Sequence, residues 1–169
     1  AITACNEHIE LNRLLSQLTE HIRPEDEIVV QVDITATEEV KNVIWKKGLT
    51  IYSYPLNKDF ATFKNNLKDL CTKDYIFQID ADEYPHLELL SSLPSILEAN
   101  DDTDVFLVPR INTVEGLTEQ HIQKWGWNIT GDSRVNFPDY QWRNVRYPRQ
   151  YRQGHRRRCR LGHLDPDAR

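Results

Sequence analysis

The chain has 169 residues, of which 39% are hydrophobic and 28% are charged, and its formal net charge is −5. These values are typical of a single globular domain with a sizeable core, and the acidic excess disfavours nucleic acid as a partner. No apolar run approaches the ~20 residues of a membrane-spanning helix, and the three cysteines lack the paired spacing of a zinc site or disulfide framework. We therefore expect no transmembrane segment and a cytoplasmic location, with the inner membrane surface as an alternative.

The spacing of hydrophobic residues predicts strands and helices in alternation along most of the chain. The predicted strands are residues 1–5, 27–33, 49–55, the apolar run 75–79 and 104–111; the predicted helices are residues 7–22, 37–48, 59–72 and a segment whose first turn contains Pro85. Helices of this length between strands imply right-handed crossovers and parallel pairing. The predicted fold class is therefore α/β, with a Rossmann-like, mostly parallel sheet flanked by helices.

Two helices carry more detailed expectations. Thr37 is a cap residue type just before the second helix, and Gly48 is suited to end it. In the third helix, one face carries the residues that we expect to be buried, namely Phe60, Phe63, Leu67, Leu70 and Cys71.

The two ends of the chain differ from its middle. "AITACNE" resembles the second half of a strand and the chain has no methionine, so we expect that a few residues are missing at the N-terminus. Residues 144–169 contain eight arginines and no lysine, and their apolar periodicity is lost. We therefore expect one domain at 1–143, followed by a tail at 144–169 that is disordered or derives from a shifted reading frame. Binding of the tail to phosphates or anionic lipids is the alternative.

Carboxylates follow the fourth predicted strand directly, at Asp80, Asp82 and Glu83. Ligands of α/β sheets bind at the carboxyl ends of strands, and residues two apart in an extended segment point the same way. Asp80 and Asp82 would then face one crevice, where Mg²⁺ or Mn²⁺ could bind through them and through substrate phosphates. A solvated acidic loop, or a helix N-terminus that favours carboxylates, is the alternative.

Polar residues also follow other predicted strands. Asp33 ends the second strand and can accept from a base or a ribose hydroxyl, and Lys64 can meet a phosphate or a carboxylate. For each residue alone, a cap or a solvated side chain is the alternative. The chain has neither G-x-G-x-x-G nor a P-loop motif, which argues against dinucleotide and P-loop binding. Together the residues indicate a nucleotide crevice of another kind.

Four segments resemble family 2 glycosyltransferases with the GT-A fold: "ITACNE", "VVQVD", "FATFKNNLKDLCTKDYIFQIDADE" and "NFPDYQWR". The resemblance covers roughly residues 1–143, and the helix–strand–"DADE" block is its most specific part. It implies a GT-A-like fold, a nucleotide-sugar donor such as a UDP-sugar, and Mn²⁺ or Mg²⁺. It also implies transfer, with inversion, to a hydroxyl of a carbohydrate or lipid-linked acceptor, as in polysaccharide biosynthesis.

By motif position, the resemblance implies roles for seven residues. Thr3 and Cys5 would lie along the nucleotide, Asp33 at the base, Lys64 and Asn65 near the donor, Asp80 at the ribose or metal, and Asp82 on the metal. Cys5 departs from the family, which often has an aromatic residue there.

Two features of the second half bear on the acceptor. Trp125 and Trp127 could stack on an acceptor sugar or anchor their loop by hydrophobic contact. No general base is identified, because the His–Glu pair expected beyond "QWR" is absent: His155 and His163 are not followed by Glu. The alternative function is therefore a nucleotide-sugar-binding chain without chemistry.

Overall fold

The computed structural model describes residues 1–146 and 161–163. The strands are β1 (Ile2–Ala4), β2 (Val30–Asp33), β3 (Ile51–Tyr54), β4 (Tyr75–Phe77), β5 (Ile79–Asp80), β6 (Val105–Arg110), β7 (Asp139–Arg146) and β8 (Leu161–His163). The helices are α1 (His8–His21), α2 (Glu38–Lys46), α3 (Phe60–Leu70), α4 (Leu87–Ala99) and α5 (Glu119–Trp125). No helix in these ranges is long and apolar enough to cross a membrane.

The first sheet is parallel throughout, in the order β3-β2-β1-β5. Its four strands are joined by helices, as the alternating pattern predicts, and the α/β fold class is confirmed. In this sheet Thr3 of β1 lies between Gln31 of β2 and Asp80 of β5. Because neighbours in a parallel register share a face, these three polar residues form a row on one side of the sheet.

The other side of the first sheet carries the main hydrophobic core. The strands contribute Ile2, Val30, Val32 and Ile79, and helices α1 and α2 cover them with Leu11, Leu14, Leu15, Val40 and Ile44. Each of these side chains is at most 4% exposed. Full burial of one such side chain stabilises a fold by about 1.5–3 kcal/mol, so this layer fixes the sheet.

Local signals place the helix ends largely where the sequence predicts them. The Thr37 hydroxyl accepts a hydrogen bond from the Val40 N–H at 3.5 Å and caps α2. Gly48 has a φ of +69°, which a residue without a side chain adopts at little cost. Pro85 is a different case, because it precedes the cap residue His86 and does not enter the first turn of α4.

Helix α3 packs on the polar-row side of the sheet. Asp59 caps it, with its carboxylate accepting from the Thr62 N–H at 3.0 Å. Of the five residues predicted on one face, Phe63, Leu67 and Cys71 are buried and Leu70 is partly buried, but Phe60 is 64% exposed and its expected burial is wrong. Phe60 is the first residue of the helix, directly after the cap residue Asp59.

The run 75–80 is not the single strand that its hydrophobicity predicts. Tyr75–Phe77 pairs antiparallel with β7, whereas Ile79 and Asp80 pair parallel with β1. The chain therefore changes sheets at Gln78. Hydrophobicity predicts that such a run is buried, but it does not specify which strand will be its partner.

The second sheet has the order β4-β7-β6-β8 and combines antiparallel with parallel pairs. Its central strand β7 continues through the expected domain boundary at residues 143 and 144, and β8 pairs with β6. Most of the predicted tail, residues 147–160 and 164–169, lies outside the described residues. Helix α5 lies between β6 and β7 in the chain, so it connects two strands of this sheet.

Candidate functional site

The carboxyl ends of β1, β2 and β5 meet at one edge of the parallel sheet. The ends of β1 and β2 are joined directly, because the Thr37 N–H donates to the Cys5 carbonyl at 3.1 Å. The end of β5 lies on the other side of β1. Ligands of α/β sheets bind at edges of this kind, so this edge is where the predicted site residues are expected to meet a ligand.

Asp80 is the residue on which the edge is organised. Its Oδ1 accepts from the Thr3 hydroxyl at 3.1 Å and from the Lys64 ammonium at 3.2 Å. The three residues come from β5, β1 and α3, so the sheet and its covering helix hold this carboxylate from two sides. The side chains of Lys64 and Asp80 are 36% and 38% exposed, which leaves both accessible to a ligand.

The segment after Asp80 is a turn rather than a continued strand. The Glu83 N–H donates to the Asp80 carbonyl at 3.0 Å, and the Glu83 carboxylate accepts from the Asp80 N–H at 3.1 Å. The extended geometry assumed for Asp80 and Asp82 is therefore wrong, because the turn starts at Ala81. Ala81 is nonetheless buried in the core on the opposite side, at 3% exposure. Glu83 has a clear role here, which is to close this turn.

Asp82 is exposed at the tip of the turn. Its carboxylate makes no hydrogen bond or ion pair with the residues that the structure describes, whereas those of Asp80 and Glu83 are both engaged. Within the same ranges no three His, Cys, Asp or Glu side chains converge to form a ready metal cage. One free and one half-accessible carboxylate fit Mg²⁺ or Mn²⁺, since these ions usually bind through one or two carboxylates plus phosphate oxygens.

Of the other predicted residues, Asp33 and Cys5 have local partners. The Asp33 carboxylate accepts from the Thr35 N–H at 3.0 Å within the loop after β2. The Cys5 thiol is 3.5 Å from the Asn6 side-chain oxygen and is partly exposed. Asn65 is exposed on α3, beside Lys64. The structure thus brings Thr3, Lys64 and Asp80 into contact and leaves these three residues separate from them.

Sequence reasoning missed an ion-pair bridge behind the turn. The Arg110 guanidinium, at the end of β6, lies 3.5 Å from the Glu83 carboxylate and 2.6 Å from that of Asp139 on β7. Asn112 and Gln141 also donate to Asp139, at 3.0 and 2.8 Å. The turn is therefore tied to the second sheet. The available signals were the charged end of a predicted strand and the Asp in "NFPDYQWR", but neither identifies its partner.

This bridge sets the charge state of Asp139. Partial burial raises its pKa, but hydrogen bonds from Asn112 and Arg110 and the positive charge of Arg110 together lower the pKa below its usual value. Asp139 is therefore ionised near neutral pH and binds protons weakly.

A large open cleft of about 1680 Å³ begins at the turn. Asp80 and Asp82 line it, together with the end of β6 and the segment that leads into β7. Among the described lining residues, the other predicted site residues are absent: Thr3, Cys5, Asp33, Lys64 and Asn65. Asp82 therefore stands between two regions, the edge of the parallel sheet on one side and this cleft on the other.

No family model matches the chain, and no curated protein matches it. Among solved structures, it is similar to S. aureus TarS, with 19% identity over 69% of this chain and a TM-score of 0.56. A second structure, of TarS residues 1–349, gives 19% identity over 69% of this chain and a TM-score of 0.53. TarS is a glycosyltransferase. The chain has a glycosyltransferase-like fold.

This likeness concerns the fold, since the identity is low. The chain spans 22% of the first TarS structure and 36% of the second, so it corresponds to only a part of either. The GT-A-like, Rossmann-like sheet flanked by helices agrees with these neighbours.

Proposed function

We propose that the chain is the donor-binding part of a glycosyltransferase that moves a sugar from a UDP-sugar to an acceptor hydroxyl, with Mn²⁺ or Mg²⁺ and with inversion. The observation that carries the proposal is the free carboxylate of Asp82 beside the anchored carboxylate of Asp80. Both stand at the carboxyl edge of a parallel sheet in a glycosyltransferase-like fold.

Asp80, Asp82 and Lys64 would each contact a different part of the bound donor and its metal. Asp82 would bind the metal directly, and Asp80 would contribute its accessible oxygen to the metal or to the ribose. Lys64, already beside Asp80, would meet a phosphate oxygen once the diphosphate is bound. The metal, when bound, would neutralise the negative charge that develops on the departing diphosphate.

The charges of the edge favour metal dependence. Asp80, Asp82 and Glu83 contribute three carboxylates within four residues, against the Lys64 ammonium and the Arg110 guanidinium that pair with two of them. A diphosphate approaching this edge alone would meet excess negative charge. A divalent cation reverses that balance, so we expect UDP to bind weakly without it.

Calorimetry tests the donor site directly. UDP is titrated into the protein with Mn²⁺ and again with excess EDTA, and we expect binding only with the metal. Asp82→Asn should weaken metal-dependent binding at least about tenfold, because it removes a charged ligand. Asp69→Asn is the matched control, since Asp69 is an exposed Asp on α3 paired only with Lys68 among the ion pairs described. The proposal would be contradicted if the affinity for UDP were unchanged both by EDTA and by Asp82→Asn.

Asp80 and Asp82 would hold the metal and Glu83 closes the turn, so Asp139 and the His86–Glu88 pair remain in the described cleft as groups that could accept the proton of an acceptor hydroxyl. Asp139 is a poor base because its pKa is lowered. His86 is better placed chemically, since its Nδ1 lies 2.8 Å from the Glu88 carboxylate and both side chains line the cleft. An imidazole oriented by a carboxylate is an arrangement that general bases use.

A donor-binding chain without chemistry is the second candidate, favoured by the lowered pKa of Asp139, which makes this arginine-paired carboxylate a weak base. Turnover of UDP-glucose, UDP-galactose and UDP-N-acetylglucosamine separates the two. The transferase is supported if the unaltered chain releases UDP from one of these donors and His86→Gln releases it more slowly while binding UDP with the same affinity. Metal-dependent UDP binding with no turnover of any donor supports the binding function.

A further inference from the structure

The cleft that begins at Asp82 has a second end, formed by a short hairpin. The Asn128 N–H donates to the Asn136 side-chain oxygen at 2.8 Å, and the Asn136 N–H donates to the Asn128 carbonyl at 2.7 Å. Trp127 and Phe137 are the residues just outside this pair, at the base of the hairpin. Both aromatic side chains line the cleft.

Both rings are held in place before any ligand arrives. The backbone N–H of Trp127 donates to the Ile122 carbonyl at 3.1 Å. The Trp125 ring packs against the Trp127 ring, with the two centroids 4.8 Å apart. On the other ring, the Arg134 guanidinium lies 4.6 Å from the centre of Phe137. Side chains that are already ordered lose less entropy on binding, so such a pair is suited to a ligand.

The size of the cleft leaves room beyond the donor. Its volume of about 1680 Å³ exceeds the roughly 300–1,000 Å³ of a small-molecule pocket. The nucleotide part of the donor is proposed to lie along the ends of β1 and β2, whose residues Cys5 and Asp33 are not among the described lining residues. The end of the cleft near Trp127 is therefore available for a different ligand.

The charges of the lining select against an anionic ligand. Five carboxylates line the described cleft, at Asp80, Asp82, Glu83, Glu88 and Asp139. The two guanidinium groups that line it are already paired: Arg110 with Glu83 and Asp139, and Arg134 with Asp132 at 2.7 Å. No unpaired arginine or lysine of the described lining is thus available for a phosphate. Apart from Asp80 and Asp82, whose charge the metal would balance, the carboxylates of Glu83, Glu88 and Asp139 still outnumber the two guanidinium groups and would repel a phosphate.

We propose that this cleft binds an uncharged carbohydrate acceptor, with one sugar ring stacked on Trp127 and Phe137. The aromatic pair supplies apolar contact for the ring, and the side-chain amides of Asn112 and Asn136, which line the same cleft, can meet its hydroxyls. The acceptor role rests on the proposed function. The preference for an uncharged sugar over a phosphate-bearing polymer rests on the lining itself.

The test is titration of the full chain with cellotetraose, chitotetraose and maltotetraose, and with a glycerol phosphate oligomer as the anionic probe. Tryptophan fluorescence and calorimetry report binding. We expect at least one neutral oligosaccharide to bind at millimolar concentration and the phosphate oligomer not to bind. Trp127→Ala should weaken the neutral ligand about tenfold, as the loss of an aromatic contact implies.

Two further variants keep the test decisive. Trp127→Phe retains a ring and should keep most of the affinity even if Trp127→Ala folds poorly. Trp45→Ala is the matched control, because Trp45 is 72% exposed on α2 and does not line the cleft. It should leave oligosaccharide binding unchanged.

The outcomes separate this inference from the proposed function. Metal-dependent UDP binding by the unaltered chain tests the donor site alone. The acceptor inference is overturned if no neutral oligosaccharide binds, if the phosphate oligomer binds more tightly, or if a well-folded Trp127→Ala keeps full affinity. In each of those cases UDP binding with Mn²⁺ would still leave the donor site standing.

Discussion

Two apolar helices of this chain, α1 and α4, have different surroundings. In α1, Leu11, Leu14 and Leu15 are fully buried against the parallel sheet. Helix α4, with the sequence LELLSSLPSILEA, is the more apolar of the two, yet none of its residues is buried among the described part of the chain. Leu87 is 50% exposed. Burial therefore depends on the surface that a helix meets and not on its composition.

The same contrast separates the two ends of the candidate site. Asp80 is anchored by Thr3 and Lys64, on the sheet that the α1 layer stabilises. The cleft beyond Asp82 is bordered instead by α4 and by the hairpin at Trp127. Substitutions beneath the sheet should consequently act on stability, and substitutions around the cleft should act on binding. The following predictions test this contrast.

The largest effect is expected from leucine truncation in the two helices. Leu14→Ala should lower the free energy of unfolding by about 2–5 kcal/mol, because it leaves a cavity in a filled core. Leu90→Ala in α4, where the side chain is only half-buried, should lower it by less than about 1.5 kcal/mol. Urea unfolding measures both. Equal losses would show that the two helices are supported to the same degree and that the contrast is wrong.

The Arg110 bridge should give a smaller, pH-dependent effect. Arg110→Met removes the charged partner of Asp139 and should cost about 1 kcal/mol at neutral pH, since the pair is partly exposed and screened by solvent. The folded pKa of Asp139 is lowered, so its stabilising contribution is present above its unfolded pKa of about 3.9 and is lost as pH falls through the folded pKa.

Unfolding measured from neutral pH down to below that range checks this dependence. The difference between wild type and Arg110→Met should shrink as Asp139 becomes protonated. Lys46→Met is the control, because Lys46 is an exposed cation on α2 that makes no ion pair with the described residues, so its removal should give a difference that does not depend on pH in this range. A difference that stays constant over the whole pH range would contradict the assigned role of the bridge.

Gln31→Leu should change stability by less than about 1 kcal/mol in either direction, although Gln31 is fully buried. The variant loses the 2.7 Å hydrogen bond from the Gln31 amide to the Phe63 carbonyl. It also removes the Gln31 side-chain oxygen, which has no hydrogen-bond partner among the described residues, and so relieves a desolvation cost. Urea unfolding distinguishes this balance from a loss above about 2 kcal/mol, which would mean that the oxygen is satisfied in solution.

The smallest effect is expected at a helix cap. Thr37→Ala should cost about 0.5 kcal/mol, at the low end for an N-cap, because its hydrogen bond to Val40 is long at 3.5 Å. Thr50→Ala, at an exposed position outside any helix, should be neutral. Thermal unfolding of the pair gives the comparison, and equal melting temperatures would mean that the cap contributes nothing measurable.

Much of the first sheet could be predicted from the sequence. The period of α1, the cap at Thr37 and the glycine at position 48 are local signals, and helices of that length between strands force parallel pairing. The gathering of Asp33 and Asp80 near one edge follows from that pairing, since parallel strands end on the same side. The contacts within the edge do not follow from it.

The sequence by itself determined the alternation of elements, the parallel sheet and the side on which a ligand would bind. Only the tertiary structure decided that the chain changes sheets at Gln78, that Arg110 links Glu83 to Asp139, and that Trp127 and Phe137 line the same cleft. The reason is physical. Periodicity indicates which face of a helix or strand is apolar. A hydrogen bond or ion pair between distant residues depends instead on how the elements pack, and the spacing of residues around either partner does not predict it.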